Sequence, residues 1–592
     1  MRLRLLRLRL RRRLRKGQQQ VEDLGQQAEQ GLEQHFFKRF NRLTAVRRFV
    51  SGWLLLLLVL IGGLIVQLVL LGGYYQALRP VPGGIYNEGV LGTFTTANPL
   101  YATSDVDATV SHLIFASLFV YNQHNQLVGD LAKSYSVDAK GITYTVHLKP
   151  HLTWQDGQPL TSDDVVFTYQ TIQNPDAQSP LNSSWQGITV TAPDPLTVVF
   201  QLPDPLASFP YDLTNGIVPK HVLASTPAVD LRSADFNTAH PIGAGPFTWH
   251  AIQIIGGDPS TAQEQVGLTP FVGYQGGQPK LQEFVVHAYA SRSQLVQALK
   301  TGQLTGAEGL SNVPLELTGK NWQTHSLLLT AATMVFYKTS SGVLADQKVR
   351  QALVQATDTQ AIMKNLGYNT HAVREPLLTG QLGYSAQYAQ PGFDLKAARA
   401  LLDSDGWVVG KNGVRSKSNQ PLSFTLTATD TPEYNTVTHE LQQQWAHLGV
   451  KLSLRPQNST DFQNTITYHD YDAVLYGISI GVDPDVFVYW DSSQADIRST
   501  NRLNLSEYKN PAADAALEGG RTRLSPDLRV IKYRPFLQAW QQDTPAVGLY
   551  QPRLLYITNG MVAGLSDQQI NTATDRFNNV QNWEIRQAKV TD

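Results

Sequence analysis

Residues 53–71 read WLLLLLVLIGGLIVQLVLL, an uncharged run whose one strongly polar residue is Gln67. At about 1.5 Å of rise per residue, roughly 20 such residues reach across a bilayer core. The run predicts a transmembrane helix over 51–73 and divides the chain into a short part before it and a long part after it. Residues 1–50 hold 14 Lys and Arg against four acids, a net charge of +10, and because the whole chain sums to zero the remainder carries −10. Arg47 and Arg48 abut the run. Positive charge beside a span stays on the cytoplasmic side, so the N-terminus is expected inside and the long part outside. A secretory signal has a shorter apolar core, about 7–15 residues, so an uncleaved signal anchor is the expectation.

The cytoplasmic tail, 1–50, opens with MRLRLLRLRLRRRLRK. Arg and Leu partly alternate there, which fits neither helix nor strand period. Two readings stand: a stretch lying on anionic lipid, or a disordered tail that only sets topology. The chain has no cysteine. That excludes a Cys-linked lipid anchor, disulfides, thiolate metal sites and thiol nucleophiles. The external part must therefore rest on its own hydrophobic core, which a chain of several hundred residues can build.

A short stalk is expected over 74–84, around Arg79-Pro80-Val81-Pro82. Beyond it, strand and helix patterns alternate, which argues for α/β layers. Ile142, Tyr144, Val146 and Leu148 alternate as one face of a strand. Thr161 with Asp164 has capping-box spacing and opens a helix whose stripe is Val165, Tyr169 and Ile172. Helices are expected over Asp346–Ala356 and from Leu395 to Gly406. The clearest runs from a Thr431 cap through Pro432 to Gly449, with Tyr434, Val437, Leu441, Trp445 and Leu448 inward. Strands follow at Val450–Leu454 and Asp472–Gly477.

The usual catalytic signatures are missing: there is no GxSxG, P-loop, HExxH or Rossmann glycine triplet. The histidines are scattered, and His147 and His151 read as exposed residues at a strand end. No enzyme activity, cofactor or metal is expected, and nothing points to nucleic acid. The 24 Tyr and 10 Trp suit an adaptable pocket that is half apolar and half polar.

Nine segments, in order, resemble one family. They are Gly92–Leu100 with its Asn98-Pro99-Leu100, Leu127–Tyr135, His147–Val165 with Trp154-Gln155-Asp156-Gly157 and Asp163-Asp164-Val165, Ile242–Phe247, Leu299–Leu304, Lys348–Asp358, Asp394–Trp407, Asp483-Pro484-Asp485, and Pro545–Tyr550. Together they resemble the family 5 extracellular solute-binding proteins, the dipeptide- and oligopeptide-binding components of ABC importers, over about residues 85–565. The resemblance implies an α/β, two-lobed, periplasmic-binding-protein-like fold of class II, cluster C type, with an inserted subdomain and, here, a preceding membrane helix. By that likeness lobe I is 85–328 with an insertion at about 115–200, lobe II is 329–547, and 548–592 returns to lobe I. Capture of a peptide or similar solute between the lobes, and delivery to ABC permease subunits, is the implied function. A sensor that signals through the cytoplasmic tail is the alternative, and a non-peptide solute is another.

Peptide-binding members usually hold the ligand's amino group with an acid about four residues before the Pro of the Asp-Pro loop. That position is Ile480 in this chain, and Asp483 stands directly before Pro484. Asp483 is therefore the first candidate, with Arg374 as a partner for a ligand carboxylate and Asn98, Tyr337, Tyr476 and Trp490 as cleft candidates by position.

Overall fold

The apolar run is helical from Arg47 to Tyr74 in the computed structural model, which describes residues 47–74, 76–256, 263–317, 321–496, 498–499 and 502–591. The basic stretch 1–16 and the rest of the tail through 46 lie outside the described residues. Side chains along Phe49–Leu68 are unburied by protein, as a lipid-facing helix requires. Among the described residues, the first compact unit comprises 47–74 and 76–79 together with 587–591. Within the expected stalk, 74–84, Gln76–Val81 is a strand that pairs with Arg586–Thr591. Its partner lies some 500 residues away in sequence, so no local pattern announces it.

The second unit, Pro80–Arg586, contains two main sheets. The larger has seven strands in the order Trp322–Leu328, Arg553–Asn559, Gly306–Ala307, Ile85–Leu91, Glu283–Tyr289, Gln263–Pro270 and Phe247–Ile255. Ile85–Leu91 is parallel to both of its neighbours, and the remaining pairs are antiparallel. The smaller has five strands in the order Lys451–Gln457, Ser423–Thr429, Ala473–Ser479, Ala331–Tyr337 and Ala546–Tyr550. A four-stranded antiparallel sheet, Ala132–Val137, Thr143–Leu148, Thr197–Gln201 and Thr189–Asp194, is an accessory layer on the side of the larger sheet.

Local chemistry starts and stops the elements where the sequence says. Thr161 and Asp164 form the capping box that opens the helix Ser162–Gln173, and its Val165, Tyr169 and Ile172 are fully buried. Thr431 accepts from the Tyr434 amide at 3.2 Å to cap the helix Pro432–Leu448. Gly449 ends that helix at φ +95°, a left-handed position that costs a residue with a Cβ. Val437, Leu441, Trp445 and Leu448 bury completely against the smaller sheet. Each such side chain is worth about 1.5–3 kcal/mol relative to exposure. All seven residues of Ala331–Tyr337 are buried, because Val335 and Tyr337 face that helix while Met334 and Phe336 face a second core containing Phe536 and Trp540.

The chain passes between the two large sheets twice, and both passages are short. Strand Trp322–Leu328 leads through 329–330 into Ala331–Tyr337, and Ala546–Tyr550 leads through 551–552 into Arg553–Asn559. The passages are bonded to each other: the Leu329 amide donates to the Pro552 carbonyl at 2.9 Å, and Gln551 Nε2 donates to the Leu329 carbonyl at 3.3 Å.

An ionic cluster lies inside the larger-sheet body. Arg576 bonds Glu88 at 2.8 Å and Glu308 at 2.8 Å, and Tyr556 donates to Glu88 at 2.5 Å. Glu88, Glu308 and Arg576 are all buried. Burial, followed by the charge of Glu88, outweighs Arg576 and pushes the Glu308 carboxyl up to about 7. Gly306 is pressed against this cluster: a Cβ there would meet the Tyr86 hydroxyl, stand 2.5 Å from that of Tyr556 and 3.0 Å from Glu88 Oε2.

Candidate functional site

Strand Ala473–Ser479 runs in the middle of the smaller sheet and delivers the loop that carries Asp483-Pro484-Asp485. The loop's root is fixed at the first passage, because the amides of Ile480 and Gly481 both donate to the Thr330 carbonyl, at 2.9 and 3.0 Å. Gln381 Nε2 holds the Gly481 carbonyl at 2.7 Å. Gly481 itself turns at φ +73°, where glycine is favoured.

Two guanidiniums meet this acidic loop. Asp483 makes a two-pronged pair with Arg529, both bonds at 2.6 Å, with both side chains nearly buried. Burial opposes the Arg529 charge, yet the Asp483 hydrogen bonds and charge outweigh it and hold the guanidinium above its ordinary pKa. Asp485 pairs with Arg521 at 3.2 Å. Arg521 also lies 4.2 Å from the Phe487 ring centroid.

Segment 207–213, from the side of the larger sheet, faces the loop. Ser208 Oγ donates to Asp485 Oδ2 at 3.1 Å, and the Ala207 amide donates to the Arg521 carbonyl at 2.8 Å. Asp212 follows in a short 3-10 turn, Phe209–Asp212. Its carboxylate is open to water but walled by protein. That desolvation, then the charge of Asp485, pushes it up to about 7 in spite of Arg521. Tyr211 and Tyr135 line the same opening, and each phenol is raised by burial and then by the charge of Asp483. Tyr144, beside them, is pushed up to about 12, chiefly by burial. Among these groups three carboxylates oppose two guanidiniums. With all ionised the opening holds one surplus negative charge, and Asp212 is the carboxylate without a bonded cation.

The sequence candidates separate into four groups. Asp483 stands in the acidic loop, and Tyr476 lies in the strand that leads to it, half-buried and stacked on Phe462 with centroids 5.9 Å apart. Asn98 is fully buried on the other body. Its Nδ2 donates to Asn237 Oδ1 at 2.9 Å and its Oδ1 accepts from the Leu100 amide at 3.0 Å, so its polar atoms shape the loop they sit in. Tyr337 and Trp490 are fully buried core residues, and Trp490 packs between Phe336 and Trp540. Arg374 donates to the Gln390 carbonyl and lines two small cavities of about 140 and 220 Å³ among 354–393 and 547–551, away from the acidic loop. Sequence reasoning missed Asp212, Ser208, Arg521 and Arg529. Asp485 lay inside a motif it had singled out, but the other four sit in segments with no motif.

Two α/β bodies joined by two short passages, with a charged, tyrosine-rich opening between them, define a two-lobed solute-binding protein of the periplasmic type. The family model for bacterial extracellular solute-binding proteins, family 5 middle, matches residues 126–499. The chain belongs to that family. It is 26% identical over 498 residues to the oligopeptide-binding protein AppA of Bacillus subtilis (strain 168), an alignment covering 81% of this chain and 88% of AppA. The crystal structure of NikZ from Campylobacter jejuni in complex with Ni(L-His) superposes with a TM-score of 0.70 at 23% identity, covering 85% of this chain and 99% of NikZ. The structure of B. subtilis AppA in complex with a nonapeptide gives 0.67 at 23% identity, covering 86% and 100%.

Proposed function

We propose that this protein captures peptides at the opening between the acidic loop and segment 207–213 and delivers them to an ABC-type permease. The observation that carries the ligand class is the surplus carboxylate. Asp483 is neutralised by Arg529, and Asp485 is paired with Arg521, so Asp212 remains to meet a cation. A peptide's free amino group supplies that cation, and Tyr135 and Tyr211 supply adaptable, half-apolar walls. Asp483 then acts by orienting Arg529 and the loop, and Asn98 by shaping the facing loop. The name of the B. subtilis relative and its nonapeptide complex support this class.

Lobe I in this reading is 85–328 with 553–586, and lobe II is 329–550; the expected return at 548 moves to the passage at 551–552 because strand Ala546–Tyr550 belongs to the smaller sheet. Ligand held between them favours the closed arrangement, in which Ala207–Arg521 and Ser208–Asp485 bridge the two sides. The helix Arg47–Tyr74 crosses the membrane once, with residues 1–46 in the cytoplasm and the binding domain outside; the charge balance around the span supports that orientation. No covalent step is required.

Isothermal titration with tetra- and pentapeptides, free and N-acetylated, tests the reading. Free peptides should bind, N-acetylation should weaken them at least tenfold, and Asp212→Asn should remove most of that difference. Absence of binding by every peptide would refute the ligand class. Equal affinity for free and acetylated forms would leave peptide capture standing and remove the role of Asp212.

A further inference from the structure

A cavity of about 420 Å³ lies on the larger-sheet body, beside the peptide opening. Its walls are the hairpin of Phe119–Tyr121 and Leu127–Gly129, the turn at 274–276, and the C-terminal segment 566–582. No lining residue falls between Gly276 and Ser566. The smaller sheet and the acidic loop therefore contribute no residue to it.

Amides dominate the wall: ten of its 23 lining residues are Asn or Gln. The ionic groups there are already engaged. Asp130 accepts from the Ser117 amide at 3.0 Å and from Gln275, and Lys149 donates to Gln275 at 2.7 Å. Asp575 accepts from the amides of Asn571 and Thr572, and Arg576 belongs to the buried cluster with Glu88 and Glu308. By contrast, Gln123, Gln568, Gln569, Gln581 and Asn582 make no side-chain hydrogen bond among the described residues. Gln581 Oε1 is also buried without a partner. A buried acceptor left unpaired is destabilising, and a ligand hydroxyl would satisfy it. Tyr121, His124 and Tyr274 add rings to the wall.

A side-chain amide offers a donor and an acceptor side by side, which matches adjacent hydroxyls on a sugar. Asp130, Lys149, Asp575 and Arg576 are all hydrogen-bonded within the protein, which disfavours an ion, and the volume is within the range of small-molecule sites, about 300–1,000 Å³. We propose that this cavity is a second binding site, for a neutral polyhydroxylated solute of mono- or disaccharide size. Tyr121 is the wall it shares with the peptide opening, because the same phenol lies in the field of Tyr211, Asp212 and Asp483.

The test uses the full chain in a glycol-ether detergent, since maltoside headgroups would compete. Glucose, maltose and trehalose are titrated at up to about 10 mM, read by calorimetry and thermal unfolding. At least one should release or absorb heat saturably and raise Tm. Gln581→Leu should weaken that binding at least tenfold, and Val128→Trp, which fills the cavity from a partly exposed position, should abolish it. Both variants should keep the Tm of the unliganded protein. No response to any of the three sugars overturns the proposal. So does a response unchanged in both variants, and so does displacement of the sugar by a peptide that also binds Val128→Trp, which would put the sugar in the peptide opening.

Discussion

Replacing Glu308 by Gln should change how stability depends on pH. In the folded protein the Glu308 carboxyl is pushed from 4.5 up to about 7, first by burial and then, against the pull of Arg576, by Glu88 and Asp105. Below pH 4.5 both folded and unfolded chains hold the proton, and the group carries no penalty. Between 4.5 and 7 the unfolded chain releases its proton while the folded chain keeps it, so stability is lost as pH rises through that window. At about 1.4 kcal/mol per pH unit the full displacement corresponds to about 3 kcal/mol. The amide of the Glu308→Gln variant would keep an acceptor for Arg576 and carry no such penalty. The urea midpoint of the variant, measured against wild type at pH 5, 6, 7 and 8, should therefore rise relative to wild type with each step and level off above about 7. Asp130, Asp212 and Glu375 are also raised, to about 6, 7 and 7, while His287 is lowered to about 4. These are common to both proteins and cancel in the difference. Parallel curves for the two proteins from pH 5 to 8 would refute the assignment of Glu308 as a buried neutral acid.

The same structure makes further commitments. Arg529→Met leaves Asp483 nearly buried without its partner and should cost about 3–5 kcal/mol by urea unfolding, whereas adding Asp483→Asn should restore much of the loss. Gly306→Ala drives a methyl into Tyr86, Tyr556 and Glu88 and should destabilise by about 1–3 kcal/mol or more, read as a fall in Tm. Thr431→Ala removes the cap on the Tyr434 amide and should cost about 1 kcal/mol, with no change in ligand affinity. Affinity for a free-amine peptide should fall by up to about tenfold per pH unit below 7, as Asp212 takes up its proton; a flat profile from pH 7 to 5 in calorimetry would exclude that carboxylate as the amine's partner.

Elements whose boundaries are set by neighbours in the chain were readable in advance. The Thr161–Asp164 box, the Thr431–Pro432 start and the Gly449 stop all act within four residues, and each stands where its spacing put it. The order of nine family segments carried the fold for the same reason: many short-range turns and helix starts, each weak alone, agree. What did not show was long-range pairing. Strand Gln76–Val81 depends on Arg586–Thr591, and the Asp483–Arg529 pair joins residues 46 apart through the packing of a helix on a loop. Tyr337 and Trp490 looked like cleft residues because aromatic side chains serve walls and cores equally well, and the structure buries them in the two cores on opposite faces of the smaller sheet. Asp212 lies in a four-residue 3-10 turn with no period to mark it, and its significance comes from charges more than 270 positions away.

The two short passages at 329–330 and 551–552 work as a paired strap. One covalent strand would let the bodies swivel, twist and slide; two strands side by side, stitched by the Leu329–Pro552 bond, oppose twist and sliding and leave bending about the line across them as the soft motion. A protease cut in one strap would therefore leave the halves tethered but torsionally loose. Lengthening either strap by a few residues should blur the angle at which Ala207 and Ser208 arrive opposite Arg521 and Asp485, without touching a residue of the opening itself.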